Sequence, residues 1–591
     1  MARILIPPGS LCGCNIVHDM QERLVLERNV ESLVLKEYQM FRQFAYSAAV
    51  MASVVLIQNA SIAETRYVSV SGSDSAGGTI AAPWRTIQHA ADLLKPGDKL
   101  LISAGTYREQ IVLKRGGTAL QPISISAVPG ARVVVTGADM VAGGWEAANG
   151  LPAGIYRHVW DHRFPINGPN DLTHPGDLEH QLTGRAEQVI HAGRLLRQVL
   201  VQSQLAPGTF FSDLDAKLLY VWLRGSDDPN RTEIEASTRT NWLEAPSPVS
   251  FIEIKGIRFR YAANHAQRGA FVIGGGNRNN DDVSRGWLIE NCIFERANGP
   301  GASFTGEMHT IRQCDFQDNG QLGFGTSRCD KTEMINCGIY RNNLKGYSTG
   351  WEAGGLKVTM SRGFTFDHCR SVDNRGTGIW FDIGNEKCEV KNCYIADNDE
   401  AGIFCEISYR LSAHDNVIVN NANNGESVGG AWGSAGITLS SSENCTIENN
   451  RLIGNRDGID FREQERTTPR IDAAPGAPEV RIFNRGHIIR NNFIAYSQAF
   501  SIGLWMDTNF FGPHPSGGDT NRPIFEDPSK LGFRFEGNEL APLAGKPNYL
   551  YGVPWRPKSR TFTTPQEFTK GSGISDSSTV EIPPFKDVPS G

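Results

Sequence analysis

Two acidic side chains stand where they could act on one bond. Asp382 ends the phrase Gly378-Ile379-Trp380-Phe381-Asp382, and Glu406 ends Gly402-Ile403-Phe404-Cys405-Glu406. A related phrase, Gly355-Leu356-Lys357-Val358-Thr359, precedes them, and the glycines recur every 23 or 24 residues. Such a period predicts a coil that returns to the same place on each turn. Side chains of a strand alternate between its two faces. With Ile379, Phe381, Ile403 and Cys405 turned inward, Asp382 and Glu406 both turn outward on neighbouring rungs. Adjacent strands lie ~4.8 Å apart, close to the carboxyl separation of about 5–5.5 Å used in retaining glycoside hydrolysis. In that chemistry one carboxylate attacks the anomeric carbon and the other protonates the leaving oxygen. A neighbouring charge and water-excluding aromatics raise the pKa of the acid. On spacing alone, either residue could take either role.

Stacking the phrases extends the outward column: Lys357 and Thr359, Trp380 and Asp382, Phe404 and Glu406, Thr438 and Ser440, Asp460 and Arg462, with Trp351-Glu352 just before. Sugars suit such a surface, since their C–H faces lie on aromatic rings and their hydroxyls need polar partners. Trp351, Glu352, Lys357, Trp380, Phe404 and Arg462 are therefore candidate substrate-binding residues. Outward acids on a solenoid are usually just solvated. Here, however, two like charges sit side by side at an energetic cost, flanked by large aromatics that a bare surface does not explain. One rival is a Ca²⁺-dependent lyase of acidic glycans, with Lys357 as base and Glu352 five residues before it. The column opposes this by offering Asp382, an anion, where an arginine is expected. The other rival is a carbohydrate-binding solenoid without catalysis.

The elements that must position these residues are many short strands. Gly contributes 63 of 591 residues, and Asn recurs at turns such as Asp318-Asn319-Gly320, Asn342-Asn343, Asp373-Asn374, Asp397-Asn398 and Asn420-Asn421. Residues 247–540 form the repeat array, with loop insertions around Gly429-Gly430-Ala431-Trp432-Gly433 and from Glu463 to Arg485. Residues 64–143 carry a helix, Thr86 to Leu94, that would cap the first rung. Residues 144–246 read as a small inserted β-sandwich, and 541–591 as an extended strap or tail. Residues 40–63 have the charged start, apolar run and small-residue end of a secretory signal beginning at Met40. Residues 1–39 read as a non-native extension. The chain is thus expected to be secreted or periplasmic, with no stable membrane insertion.

A net charge of −6 gives no basic footprint for nucleic acid. Of the 11 cysteines, Cys292, Cys314, Cys337, Cys369 and Cys393 share one repeated context, which predicts a buried ladder, and no spacing suggests zinc. His309, His368 and His414 stand in unlike contexts and are expected to bond locally. The expected partner is a carbohydrate. The hydrolytic chemistry requires no cofactor, and a structural or lyase-type Ca²⁺ is compatible with the acids present.

Residues 66–140 resemble the N-terminal region of secreted right-handed parallel β-helix proteins of the pectate-lyase-like superfamily. The phrases ending in Asp382 and Glu406 resemble the paired motif of the β-helical β-xylosidases, a family of retaining glycoside hydrolases that also carry an intervening β-sandwich. The resemblance implies an all-β fold, a right-handed parallel β-helix with a helical cap and an inserted sandwich. It implies Asp382 as nucleophile, Glu406 as acid/base and Glu352 as a third carboxylate near the sugar. Ile407-Ser408-Tyr409-Arg410 depart from that family's pattern, so the sugar stays open.

Overall fold

The computed structural model describes residues 63–164, 177, 180–274, 282–424, 435–464, 466–468, 470, 478–506, 528–543, 550–553 and 560–580. The expected extension, the signal segment up to residue 62 and the insertion at 429–433 lie outside them. Most of the described chain winds as a parallel β-helix of three sheets, each with 13 strands. One turn shows the pattern: Thr365–Asp367, Arg370–Val372 and Thr377–Asp382 each join a different sheet. Alternation sends Phe366, Ile379 and Phe381 into the bore, where they have no exposure. Burying each such side chain stabilises the coil by roughly 1.5–3 kcal/mol. Phe259, Phe294 and Phe316 stack face to face on successive rungs, with centroids 5.3 and 4.8 Å apart.

The corners are held by side-chain columns. Asn319, Asn342, Asn374, Asn398, Asn421 and Asn455 form a buried ladder. Each donates its backbone N–H to the side-chain oxygen of the next, at 2.9–3.2 Å. The residue before each rung takes the left-handed conformation: Asp318, Arg341, Asp373, Asp397, Asn420 and Gly454 all have φ between 51° and 68°. That bend turns the chain and aims the following amide along the coil axis. At a second corner the column changes chemistry. Cys292, Cys314, Cys337, Cys369 and Cys393 are buried free thiols. Cys393 then donates its N–H to Asn416 at 2.9 Å, and Asn450, Asn492 and Asn538 continue the line.

Both ends of the coil are covered. The helix Ile87–Leu93 buries Ile87 and Ala90. Thr86 Oγ1 accepts from the His89 N–H, and the Glu109 carboxylate accepts from the N–H groups of Ile87 and Gln88. The segment from residue 541, expected to be an extended strap or tail, carries regular structure among its described residues. Tyr551–Val553 and Thr579–Val580 extend two of the sheets, and the helix Pro565–Ser572 buries Phe568 against Tyr551, 4.3 Å away. A few large apolar side chains spaced across polar sequence suffice to close the last rung.

Between Ala138 and Ser237 the chain leaves the coil and builds a four-stranded and a five-stranded sheet around Trp145, Val189, Phe210, Leu219 and Val221. The strand Leu243–Ala245, inside the segment read as inserted, is instead a rung pairing with Ile111–Val112 and Phe271–Ile273. The inserted sheets dock beside the turn that leads into the candidate column. There the Tyr347 hydroxyl donates to Thr183 O at 3.1 Å, and the Ser348 N–H donates to Asp177 Oδ2 at 2.7 Å.

Candidate active site

The candidate site lies on one sheet, on the strands Gly354–Thr359, Thr377–Asp382, Ile403–Glu406, Ala435–Ser440 and Asp457–Glu463. Its recurring glycine has a steric cause. A Cβ at Gly355 would sit 2.2 Å from Gly378 O, and one at Gly378 would sit 2.7 Å from Gly402 O. The rungs close up only where that side chain is absent. From there the strands run in register: Lys357 with Trp380, Trp380 with Phe404, Phe404 with Thr438, and Thr438 with Asp460. Phe381 pairs with Cys405, which sets Asp382 beside Glu406 as the alternation requires.

The column is less washed by solvent than the sequence suggested. Asp382 is 6% exposed, Glu406 7%, Lys357 6% and Trp380 5%. Burial raises the cost of every unpaired charge, and the charges are paired. Lys357 Nζ lies 2.8 Å from Asp382 Oδ2 and 3.4 Å from Glu352 Oε1, over the Trp380 ring at 3.9 Å from its centroid. Trp380 stacks on Phe404, 5.4 Å between centroids. Asp382 Oδ1 is buried without a hydrogen-bond partner, as is Trp380 Nε1. Such orphaned polar atoms are rare and call for a physical reason. Burial pushes the Glu406 carboxyl up from its ordinary pKa. The Asp382 charge adds to this, while Arg466 and Arg462 oppose it.

The structure brings Glu352, Lys357, Trp380, Asp382, Phe404 and Glu406 into one contact network. Arg462 pairs in register with Ser440, which itself pairs with Glu406, so Arg462 lies two rungs beyond the acid. Trp351 stands further back, packed with Tyr347, Ala266 and Ala353 at the turn before the column. Sequence reasoning missed Arg466, which donates to Glu406 Oε1 at 2.6 Å and to Gln464 Oε1 at 3.1 Å. It sits on a hairpin, Arg466–Thr468 paired with Val480–Ile482, within the insertion noted for its arginines. Glu463 anchors the hairpin base: its carboxylate accepts from the Asn484 N–H at 2.7 Å and from Ser441 Oγ at 3.3 Å. Burial raises Glu463 to about 8 and Asp457 to about 6, and it also raises Asp460. The three histidines bond locally: His309 to Thr305 O, His368 to Asp367, and His414 to Asp415 and Glu389. A cavity of about 460 Å³ lies elsewhere, against the inserted sheets; in it Arg108 pairs with Glu235 at 2.7 Å and Arg260 lies over Tyr261. Among the described residues, no group of three or more His, Cys, Asp or Glu is placed to hold a metal ion, and no helix is long and apolar enough to cross a membrane.

Residues 273–433 match the family model described as a right handed beta helix region. The solved structure titled "The complex structure of XylC with xylose" superposes with a TM-score of 0.62 at 17% identity, over 83% of this chain and 86% of that one. The chain is thus a right-handed parallel β-helix, the fold that the resemblance implied and the coil that its repeats predicted. Two curated proteins match locally. The uncharacterized protein YwoF of Bacillus subtilis (strain 168) is 35% identical over 80 residues, 14% of this chain and 17% of that protein. Pectate lyase PEL9 of Emericella nidulans is 38% identical over 76 residues, 12% of this chain and 18% of that protein. The chain spans less than a fifth of the length of either relative.

Proposed function

We propose that this protein is a retaining glycoside hydrolase with Asp382 as nucleophile and Glu406 as acid/base. One observation carries the reading: two buried carboxyl groups on adjacent rungs have opposite environments. Asp382 is clamped by Lys357 through one oxygen and keeps the other unpartnered. Glu406 is pushed toward its protonated form by burial and by Asp382 itself. Such a difference separates a nucleophile from a proton donor. In the first step Asp382 Oδ1 bonds to the anomeric carbon, the glycosidic C–O bond breaks, and the Glu406 proton passes to the leaving oxygen. In the second, the Glu406 carboxylate takes a proton from water. The water oxygen then bonds to the anomeric carbon, and the Asp382 ester is released as a carboxylate. Two inversions give net retention. Phe404 is the aromatic left partly open to the sugar, while Trp380 is covered by Lys357 on one side and by Phe404 on the other.

The chain shares its fold with a protein solved in complex with xylose, which favours a sugar as the ligand. The lyase reading fares worse. Lys357 is engaged by Asp382, Glu352 and the Trp380 face, the arrangement of a carboxylate clamp. A Ca²⁺ between Glu352 and Asp382 would have to displace that ammonium. The proposed steps need no cofactor, and residues 40–63 would direct the chain for secretion. A panel of aryl glycosides tests the hydrolase: the released sugar should first appear, by NMR, as the anomer of the substrate. Asp382→Ala should lower kcat at least 10³-fold. First appearance of the inverted anomer, or wild-type turnover in the variant, removes Asp382 from the nucleophile role.

A further inference from the structure

The charge balance at the Glu406 end of the groove changes during the proposed reaction, and Arg466 is the group left out of balance. Resting, its guanidinium holds Glu406 Oε1 at 2.6 Å, and Glu406 is the one carboxylate among the described residues within ion-pair distance of it. Its other contact, Gln464 Oε1, is neutral. A general acid must carry a proton before it can give one, and a protonated Glu406 no longer neutralises Arg466. About a third of the Arg466 side chain is exposed, so it is open to solvent while Glu406 is covered. At the Asp382 end the opposite holds, since one lysine serves two carboxylates, Asp382 and Glu352. The groove is therefore polarised, with its spare positive charge beside the proton donor.

We propose that the substrate is an acidic sugar whose carboxylate takes Arg466 as Glu406 takes its proton. This rests on the hydrolase reading and narrows it to uronate-containing glycans. A guanidinium binds carboxylates through paired N–H donors, so the substrate group replaces Glu406 as the arginine's partner without leaving a charge unpaired. Arg466 is thus a positioning and specificity residue. It opposes protonation of Glu406 in the empty site, and an acidic sugar that takes the guanidinium removes that opposition. A neutral sugar of the same ring leaves Arg466 competing with the proton for Glu406, and it reacts more slowly.

The experiment uses the full chain and matched aryl glycosides of xylose and glucuronic acid, which differ only in the carboxylate on C5, each as both anomers. The wild type should favour the glucuronide by at least tenfold in kcat/KM. Arg466→Gln should cut that preference at least tenfold, and Arg466→Lys should retain part of it. The alkaline limb of kcat/KM on the xyloside should move to higher pH in Arg466→Gln, because a guanidinium that lowers the Glu406 pKa has gone; a purely structural role would not move it. If both sugars are cleaved in an Asp382-dependent way and the preference is absent or unchanged in the glutamine variant, this inference fails and the hydrolase reading stands. If neither aryl glycoside is cleaved by the wild type, the hydrolase reading fails and takes this one with it.

Discussion

Glu406 is buried beside an anion, and both conditions favour its neutral form. As the proton donor it should lose activity on the alkaline side, where kcat/KM falls as pH rises through its raised pKa. Glu406→Gln cannot protonate a leaving group. With a poor leaving group the loss in kcat/KM should be about 10²–10⁴-fold, and with a dinitrophenolate far smaller. A leaving-group series measured on both proteins checks this, and equal losses across the series would deny Glu406 the acid role. Asp382 and Glu406 were legible in the sequence because strand alternation and a 23- or 24-residue period leave no freedom in where they point. Arg466 was not, because it reaches Glu406 across 60 positions from a hairpin whose register no repeat dictates. The phrase repeat gave the column, and the insertion gave its electrostatics.

At the scale of the elements, the asparagine corners do what the hydrophobic bore cannot. Apolar packing is indifferent to small slips between rungs, whereas an amide that must meet the next backbone N–H sets each rung to its neighbour. Asn374 Nδ2 donates to Asn398 Oδ1 at 2.8 Å and to Ile339 O at 3.1 Å, four residues before Gly378. Asn374→Ala should strand two buried backbone groups, the Asn342 N–H and Ile339 O, and cost about 1–3 kcal/mol for each one left unmet. Its effect on catalysis should exceed that of an equally destabilising change at a distant rung. Denaturation midpoints and kcat/KM for Asn374→Ala and Asn492→Ala, compared side by side, test this. Sequence reading placed these asparagines at turns. Their role as a buried column appeared only with the coil wound, because it depends on contacts one full turn away.

For the molecule as a whole, buried ionisable groups set how stability follows pH. Glu463, raised from 4.5 to about 8, keeps its proton in the folded state, so its contribution is present at low pH and is lost as pH climbs from about 4.5 to 8. Asp457, raised to about 6, acts alike over a lower window. His309 and His487, lowered to about 4 and 3, stay neutral when folded and destabilise the protein as pH falls below 6.5. Between about pH 4.5 and 6 these tendencies offset one another. Above 6.5 Glu463 taken alone lowers stability by about 1.4 kcal/mol per pH unit, and from about pH 7 Lys345, whose pKa burial lowers to about 7, opposes it. Glu463→Gln, which mimics the protonated form, should remove the Glu463 part of the slope between urea melts at pH 6.5 and 8; an unchanged slope would assign it to other groups. The overall architecture was legible as far as the repeats ran. The closing helix Pro565–Ser572 and the first strand of the insertion were not, since neither repeats and each is recognisable only by what it packs against.

The thiol column carries a consequence for how the chain reaches this fold. Five cysteines, one per rung, come within bonding reach of one another only as the coil forms, and in an oxidising compartment a slipped rung could be locked by a covalent bridge. Winding in order from one end would bury each sulfur before the next arrives, so assembly and oxidation race one another. Once wound, the same sulfurs report on the coil: a reagent that modifies only accessible thiols marks whichever rungs have opened.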